Sequence, residues 1–332
     1  MKIIDNCPLK ERHTFGMDVM ADRLIEFANE DELKSALTGA VKPLLFMGGG
    51  SNLLFLNNYS GTVLHSVIDN INIVAEDDNS VSVRVGSGVV WDDFVAYCVE
   101  KGWWGVENLS LIPGEVGASA VQNIGAYGVE VKDVLQSIEA ISVDDLSKRI
   151  FTNAECNYGY RDSIFKNSLK GKYVITYVTY RLSKKANPNI GYGALKSVLA
   201  ENPSLKEIRD AIIAVRNSKL PDPKVYGNAG SFFMNPVIPM EQFVALQSRY
   251  PDIPSYPASD GYIKVPAGWL IEKSGWKGKS LGNAAVYEKQ ALVLIYRGGA
   301  TGMEVEHLAD TVIADVQKIF GITLHAEVNY IE

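Results

Sequence analysis

Cysteine is scarce in this chain: three residues in 332, Cys7, Cys98 and Cys156, widely separated and never in a C-x-x-C pair. That pattern gives no disulfide framework and no cysteine zinc site, and it suits a reducing compartment. Histidine is nearly as sparse, and the four (His13, His65, His307 and His325) share no metal-ligand spacing. "EVEH" (304–307) reads as a solvated helix face, so no metal is expected. No apolar run approaches the roughly 18–20 residues that cross a bilayer, and the opening "MKIIDNCPLK" lacks the apolar centre of a signal peptide. A soluble cytoplasmic protein with no membrane partner is expected. Positive charge is not in excess either. Lys and Arg number 32 against 39 Asp and Glu, a net charge of −7 that gives nucleic acid no general attraction. An anionic ligand would have to be held by local groups.

Several catalytic signatures are also absent. G-x-S-x-G does not occur, which excludes the α/β-hydrolase elbow, and neither does the G-x-G-x-x-G of a Rossmann nucleotide site. "GWKGKS" (275–280) resembles a phosphate loop, but Lys273 stands where its first glycine belongs. No internal repeat or low-complexity segment is found.

What is present is ordinary globular composition, 47% hydrophobic and 21% charged. The length suggests about two or three domains. "NEDELKSALTGA" (29–40) reads as a helix capped by Asn29, and "KPLLFMGGGSN" as a buried strand emptying into a glycine loop. Stretches 62–68, 72–75 and 81–85 read as strands, with "DDNS" turning between the last two. "VWDDFVAYCVEKG" (90–102) has helical spacing and a glycine stop, and 136–151 is a hairpin around Asp144 and Asp145. "KYVITYVTYRL" (172–182) is β-branched and aromatic throughout. An amphipathic helix (204–220) ends before the prolines of "PDP". Short strands and loops are then expected to about residue 300, followed by a helix (301–321) and a last strand, "TLHAEVNYIE". The class is α+β, with a mixed α/β first half and a distinct module near 220–320.

Glycine is concentrated where chemistry is expected. "MGGGSNLLF" (47–55) follows a strand, and "LIPGEVGASAVQNIGAYG" (111–128) carries Gly114, Gly117, Gly125 and Gly128 among small residues. Each could be an ordinary turn. Together they suit a dinucleotide pyrophosphate, because successive backbone N–H groups form an anion-binding concavity and missing side chains admit a bulky ligand. "GNAGSFFMNP" (227–236) is either a tight turn or a device that exposes Ser231 to a close neighbour. Arg161, in "CNYGYRDSIFK", is either a surface cation–π contact or a clamp for a carboxylate or phosphate. Glu327, in "HAEVNYI", is either an edge residue in water or a buried acid with a raised pKa.

In order, "GGGSN", "IPGEVGASAVQNIGAYG", "GYRDSIFK", "GYG", "KLPDPKV", "GNAGSFFMNP", "AGWLIE" and the terminal "AEV" resemble the MurB family of UDP-N-acetylenolpyruvoylglucosamine reductases, from about Thr14 to the C-terminus. "GYGAL" and the insertion around it resemble the subtype that closes a tyrosine-bearing loop over substrate. The resemblance implies a non-Rossmann FAD-binding domain of the vanillyl-alcohol-oxidase (PCMH) type plus a smaller α/β substrate-binding domain. The implied division is 1–65 with 325–332 as the first FAD-binding subdomain, 66–217 as the second, and 218–324 as the substrate-binding domain. It also implies a non-covalent FAD, cradled by Gly48, Gly49, Gly50, Ser51, Asn52 and Leu53 and by Pro113, Gly114, Gly117, Ala118, Gln122, Asn123, Gly125, Ala126 and Tyr127. Ser231 matches the family's proton donor, and Arg161 and Glu327 its two other catalytic residues. Tyr192, Lys219, Asn235, Tyr256 and Gln290 match substrate-binding positions. One departure is Asn329, where the family often has a basic residue two positions after the glutamate.

The implied activity is NADPH-dependent reduction of UDP-N-acetylglucosamine-enolpyruvate to UDP-N-acetylmuramate in peptidoglycan synthesis, by a monomer. Hydride addition to the terminal methylene carbon builds negative charge on the adjacent carbon and its carboxylate. A fixed cation such as Arg161 stabilises that charge, and Glu327 helps only if protonated. Ser231 then protonates the carbanion, acting as donor and not as nucleophile. Rival readings are a serine hydrolase built on Ser231, a non-enzymatic flavin- or nucleotide-binding protein that keeps the fold, and another FAD-dependent oxidoreductase of the same fold. The "GNAGSFF" block separates the chain from the last.

Overall fold

The computed structural model describes every residue except Ala194, and the chain divides into two compact units. The first comprises Met1–Cys7, Met20–Gly50 and Ser60–Ser218; the second comprises Pro8–Val19, Ser51–Tyr59 and Lys219–Glu332. Among the described residues no helix is long and apolar enough to cross a membrane.

The first unit is built on two sheets. One has the order Lys2–Pro8, Met20–Phe27, Tyr59–Ser66, Leu44–Met47. Its last two strands run parallel, with Phe46 opposite Leu64, so Leu44–Met47 delivers the chain directly into the first glycine loop. Helix Glu30–Gly39 starts as expected, the Asn29 side chain accepting the Glu32 N–H. The other sheet is antiparallel, in the order Lys148–Thr152, Leu135–Ser142, Tyr173–Ser183, Ser80–Gly86, Ile71–Glu76. Val178, Tyr180 and Leu182 alternate along its longest strand and are buried with Trp91 and Phe94 of helix Trp91–Lys101. That helix stops at Gly102, whose φ of +74° closes its last turn. Helix Leu205–Lys219 buries Ile208 and Ile212 with Leu195.

The stretch 111–128 is more ordered than the loop expected from its glycines. It contains helix Val116–Gln122 and then a minimal hairpin, Gly125–Ala126 with Val129–Glu130, turned by Tyr127 and Gly128. Both turn residues have positive φ (+49° and +83°), as a two-residue turn matched to strand twist requires. Its sequence, "VGASAVQ", has too few large apolar residues to show a helical period.

The second unit holds the antiparallel sheet Gly227–Ser231, Val293–Tyr296, Ala284–Val286, Ser280–Leu281 and a small sheet of Val237–Pro239, Tyr262–Lys264 and Tyr256–Pro257. Helix Gly302–Phe320 buries Val305, Leu308, Val312 and Val316, and a reciprocal capping box between Thr301 and Glu304 starts it. Gly302 must be glycine, since a Cβ there would sit 1.9 Å from the Phe55 carbonyl oxygen. Two helices, Met240–Arg249 and Ala267–Lys273, replace part of what reads as short strands and loops. Both follow prolines, Pro239 and Pro266, which mask them as loop while serving as their N-caps. The closing strand is shorter than its sequence suggests: Asn329–Ile331, paired in parallel with Leu53–Phe55.

Candidate active site

In the first unit the two glycine-rich stretches meet backbone to backbone. A Cβ on Gly49 would lie 3.3 Å from the Gly114 Cα, and one on Gly48 would lie 3.3 Å from the Ala118 methyl and 3.2 Å from Glu115 Oε2. The Glu115 carboxylate is held by His65, whose Nε2 is 3.0 Å from Oε1; Glu26 lies 3.9 Å from the other ring nitrogen. Gly117 and Gly125 are needed for internal packing. A Cβ on Gly117 would come within 2.8 Å of the Ser87 Cβ, and one on Gly125 within 3.0 Å of Arg161 Nη1.

Asn123 is fully buried, and its side chain is used inside the unit. It donates to the Gly159 carbonyl (2.8 Å) and Glu130 (3.1 Å) and accepts the Lys132 N–H. Arg161 is brought onto the second stretch. Its own φ is +55°, and its guanidinium donates to the carbonyls of Gly125 (2.6 Å) and Asn123 (3.4 Å) while lying 5.5 Å from the Tyr160 ring. The cation–π contact is therefore present, and the guanidinium also binds main-chain carbonyls of the second glycine-rich stretch. Tyr192 is exposed and packs edge-to-face on Tyr127, centroids 6.1 Å apart. Burial pushes the Tyr127 hydroxyl above its ordinary range despite a hydrogen bond from Arg216, and burial lowers Arg216 in turn. "GYGAL" includes Ala194, which lies outside the described residues.

In the second unit, "GNAGSFF" is a strand interrupted by a β-bulge, a correction to the tight turn. Asn228 pairs with Ile295 and Ser231 with Val293, and the register slips between them. Gly227 is glycine because the Phe15 carbonyl oxygen lies 2.0 Å from where its Cβ would be. Gly230 is glycine because its φ is +67°, with open space around it. The Asn228 side chain stabilises the bulge, accepting the Gly230 N–H at 2.9 Å and donating to the Tyr226 carbonyl. The outcome is an exposed Ser231 followed by two fully buried rings, Phe232 and Phe233, with centroids 5.1 Å apart. A bulge re-aims a side chain in this way.

The terminal segment lies alongside. The Glu327 N–H donates to the Phe232 carbonyl (2.8 Å), and Ala326 bridges Phe233, so Glu327 and Ser231 are brought together on neighbouring backbone. Glu327 is half-buried. Asn52 donates to the Glu327 carbonyl (3.0 Å) and accepts the Asn329 N–H (3.1 Å) and the Asn329 amide (3.3 Å). Leu53 pairs with Asn329, and Ser51 opens the same segment. Asn329 thus ties down the residue beside the first glycine loop. Asn235 accepts the Ala267 N–H at the start of a helix, and a Cβ on the next residue, Gly268, would lie 3.1 Å from Gln290 Oε1, which gathers Asn235 and Gln290. Tyr256 and Lys219 are exposed. Asn108, Glu115, Arg216 and Asn228 carry no spacing signal, and only the folded chain shows their partners.

Two family patterns match. Residues 21–145 match "FAD binding domain", and residues 222–331 match "UDP-N-acetylenolpyruvoylglucosamine reductase, C-terminal domain". A UDP-N-acetylenolpyruvoylglucosamine reductase of Bacteroides fragilis is 54% identical, over 97% of this chain and 98% of its own. The chain belongs to the UDP-N-acetylenolpyruvoylglucosamine reductase family. A family member from Porphyromonas gingivalis is 50% identical over the whole of both chains. The crystal structure of the Thermus caldophilus reductase shares the fold, with a TM-score of 0.70 at 22% identity over 100% of this chain and 98% of that one. The fold class expected from sequence is therefore the one found, an α+β chain with an FAD-binding domain and the reductase family's C-terminal domain. The residues present fit FAD. Where the two stretches meet, Gly49 is exposed and Gly48 and Gly114 are half-exposed, which keeps side-chain-free backbone accessible to a dinucleotide.

Proposed function

We propose that this FAD- and NADPH-dependent reductase of peptidoglycan precursor synthesis converts UDP-N-acetylglucosamine-enolpyruvate to UDP-N-acetylmuramate, as a cytoplasmic monomer that binds neither nucleic acid nor membrane. Its labour is divided as 1–65 with 325–332 and 66–217 for FAD, and 218–324 for substrate. The observation that carries the reading is the bulge at Gly230, which leaves the Ser231 hydroxyl exposed on two buried rings with Glu327 hydrogen-bonded alongside.

FAD would be held non-covalently by 48–53 and 113–127, and with NADPH as reductant it would supply hydride to the terminal methylene carbon of the enolpyruvyl group. The remaining chemistry falls to side chains. Arg161 stabilises the charge that develops on the adjacent carbon and its carboxylate, a contact worth more in the transition state than in the ground state. Glu327, in its protonated form, donates a hydrogen bond to the same oxygens. Ser231 gives its hydroxyl proton to the carbanion and regains one from solvent. A serine is a weak acid, so its fixed position matters more than its pKa. Tyr192, Lys219, Asn235, Tyr256 and Gln290 orient the substrate.

The test is Ser231→Ala in the yellow holoenzyme. Bleaching by NADPH should persist, while recovery of colour on adding substrate should slow by about 10²–10⁴-fold, the usual contribution of a positioned proton donor. Equal slowing of both half-reactions would refute the role.

A further inference from the structure

Asn108 lies in a one-turn 3₁₀ segment, Glu107–Leu109, and is 1% exposed. Its carboxamide nitrogen donates twice, to the main-chain carbonyl of Tyr127 (2.9 Å) and to that of Asn189 (2.7 Å). Both acceptors are carbonyls, which fixes the orientation of the amide, since a reversed group would set its oxygen against both. The oxygen, Oδ1, has no partner among the described residues.

The two carbonyls belong to segments with different work. Tyr127 forms the positive-φ turn that ends the second glycine-rich stretch; Asn189 lies three residues before Tyr192. Asn189 returns a second bond, its side chain donating to the Gly128 carbonyl at 3.2 Å. The Tyr127 and Tyr192 rings meet at 86°, and Ile190 and Tyr127 pack on the same apolar cluster around Leu195, Ile208 and Ile212. Arg216 interacts with the hydroxyl end of the same Tyr127 side chain.

We propose that Asn108 is a positioning residue for the reaction: its two donated bonds latch the segment 189–192 to the cofactor turn and so set where Tyr192 stands for substrate. This rests on the assignment of 113–127 to FAD and of Tyr192 to substrate given above. Two hydrogen bonds of ordinary net strength correspond to about ten- to thirtyfold in an equilibrium.

The experiment compares FAD-loaded parent, Asn108→Ala and Asn189→Ala. Trypsin cleavage after Lys196, an exposed residue just beyond the latch, reads the segment without requiring turnover. Cleavage should speed up about tenfold in Asn108→Ala and a few-fold in Asn189→Ala, and the KM for UDP-N-acetylglucosamine-enolpyruvate should rise by similar factors. Flavin reduction by NADPH should stay within about twofold of the parent, because a loosened substrate segment acts on binding and not on the first half-reaction. Asn189 is exposed, so its variant tests the latch even where Asn108→Ala fails to fold. Unchanged cleavage in the folded variants overturns the proposal, and so does a KM that does not move. The cleavage rates judge the latch even if the parent lacks reductase activity, which would instead refute the function proposed above.

Discussion

Gly230→Ala isolates the bulge that presents Ser231. An added Cβ at Gly230 meets nothing within 4 Å, so packing contributes no penalty. The penalty comes from φ of +67°, which costs an L-residue about 1–2 kcal/mol. The unfolded chain gives back about 0.4–1 kcal/mol, since alanine has fewer conformations to lose than glycine. A net loss of about 1 kcal/mol remains, or a drop in Tm of about 2–4 °C. Gly230→Asn should recover part of it, because asparagine tolerates the left-handed region. Gly227→Ala offers the contrast. Its φ is not positive, but the Phe15 carbonyl oxygen stands 2.0 Å from the new Cβ, and main chain would have to move. The loss there should reach about 3 kcal/mol, at the upper end of overpacking costs. Thermal unfolding followed by circular dichroism, with urea midpoints as a check, orders the variants as parent, Gly230→Asn, Gly230→Ala, Gly227→Ala. Gly230→Ala as stable as the parent, or Gly230→Asn below Gly230→Ala, would refute the reasoning.

Lys219→Ala removes an exposed cation assigned to substrate, and should raise KM about tenfold with kcat little changed; an unaltered KM would remove Lys219 from the site. Asp92→Asn breaks a two-pronged pair with Arg209 (2.6 and 2.9 Å) and should cost about 1–3 kcal/mol, read from urea midpoints at neutral pH. Burial alone would raise the Asp92 carboxyl, but Arg209 and the Leu111 N–H hold it below 3.8. Its contribution is therefore complete above that value and disappears as pH falls through the lower folded pKa, so parent and variant should converge in strong acid. Burial holds the His13 ring below its ordinary 6.5, against the Met17 carbonyl that favours its charged form. The unfolded chain then binds the extra proton, so stability should fall as pH drops from about 6.5 toward the lower folded pKa. His13→Gln should flatten that slope, again by urea midpoints.

Much of the fold is legible in the sequence because the informative elements are long or capped. Helix Gly302–Phe320 shows its apolar face, its Thr301 cap and its Gly321 stop, and strand Tyr173–Ser183 shows its β-branched run. Helix Val116–Gln122 is hidden because alanine and glycine give no hydrophobic period, and Ala267–Lys273 because it is brief and lies behind a proline. At the candidate site, the glycine-rich stretches, Ser231 and Arg161 stand out by composition. The reasons for individual glycines do not. Gly227 answers to Phe15, Gly117 to Ser87 and Gly49 to Gly114, and such distant neighbours leave no local trace. Asn329, a departure when compared with family members, has a partner of its own in Asn52, 277 positions earlier.

That last bond has a bearing on biosynthesis. The second unit draws on segments far apart in the sequence, and Leu53–Phe55 pairs in parallel with Asn329–Ile331. Asn52 cannot be fastened until Asn329 has been synthesised, so the half carrying Ser231 and Glu327 closes late. Without Asn329–Ile331, Leu53–Phe55 would lose its parallel neighbour, however well the rest of that half had folded.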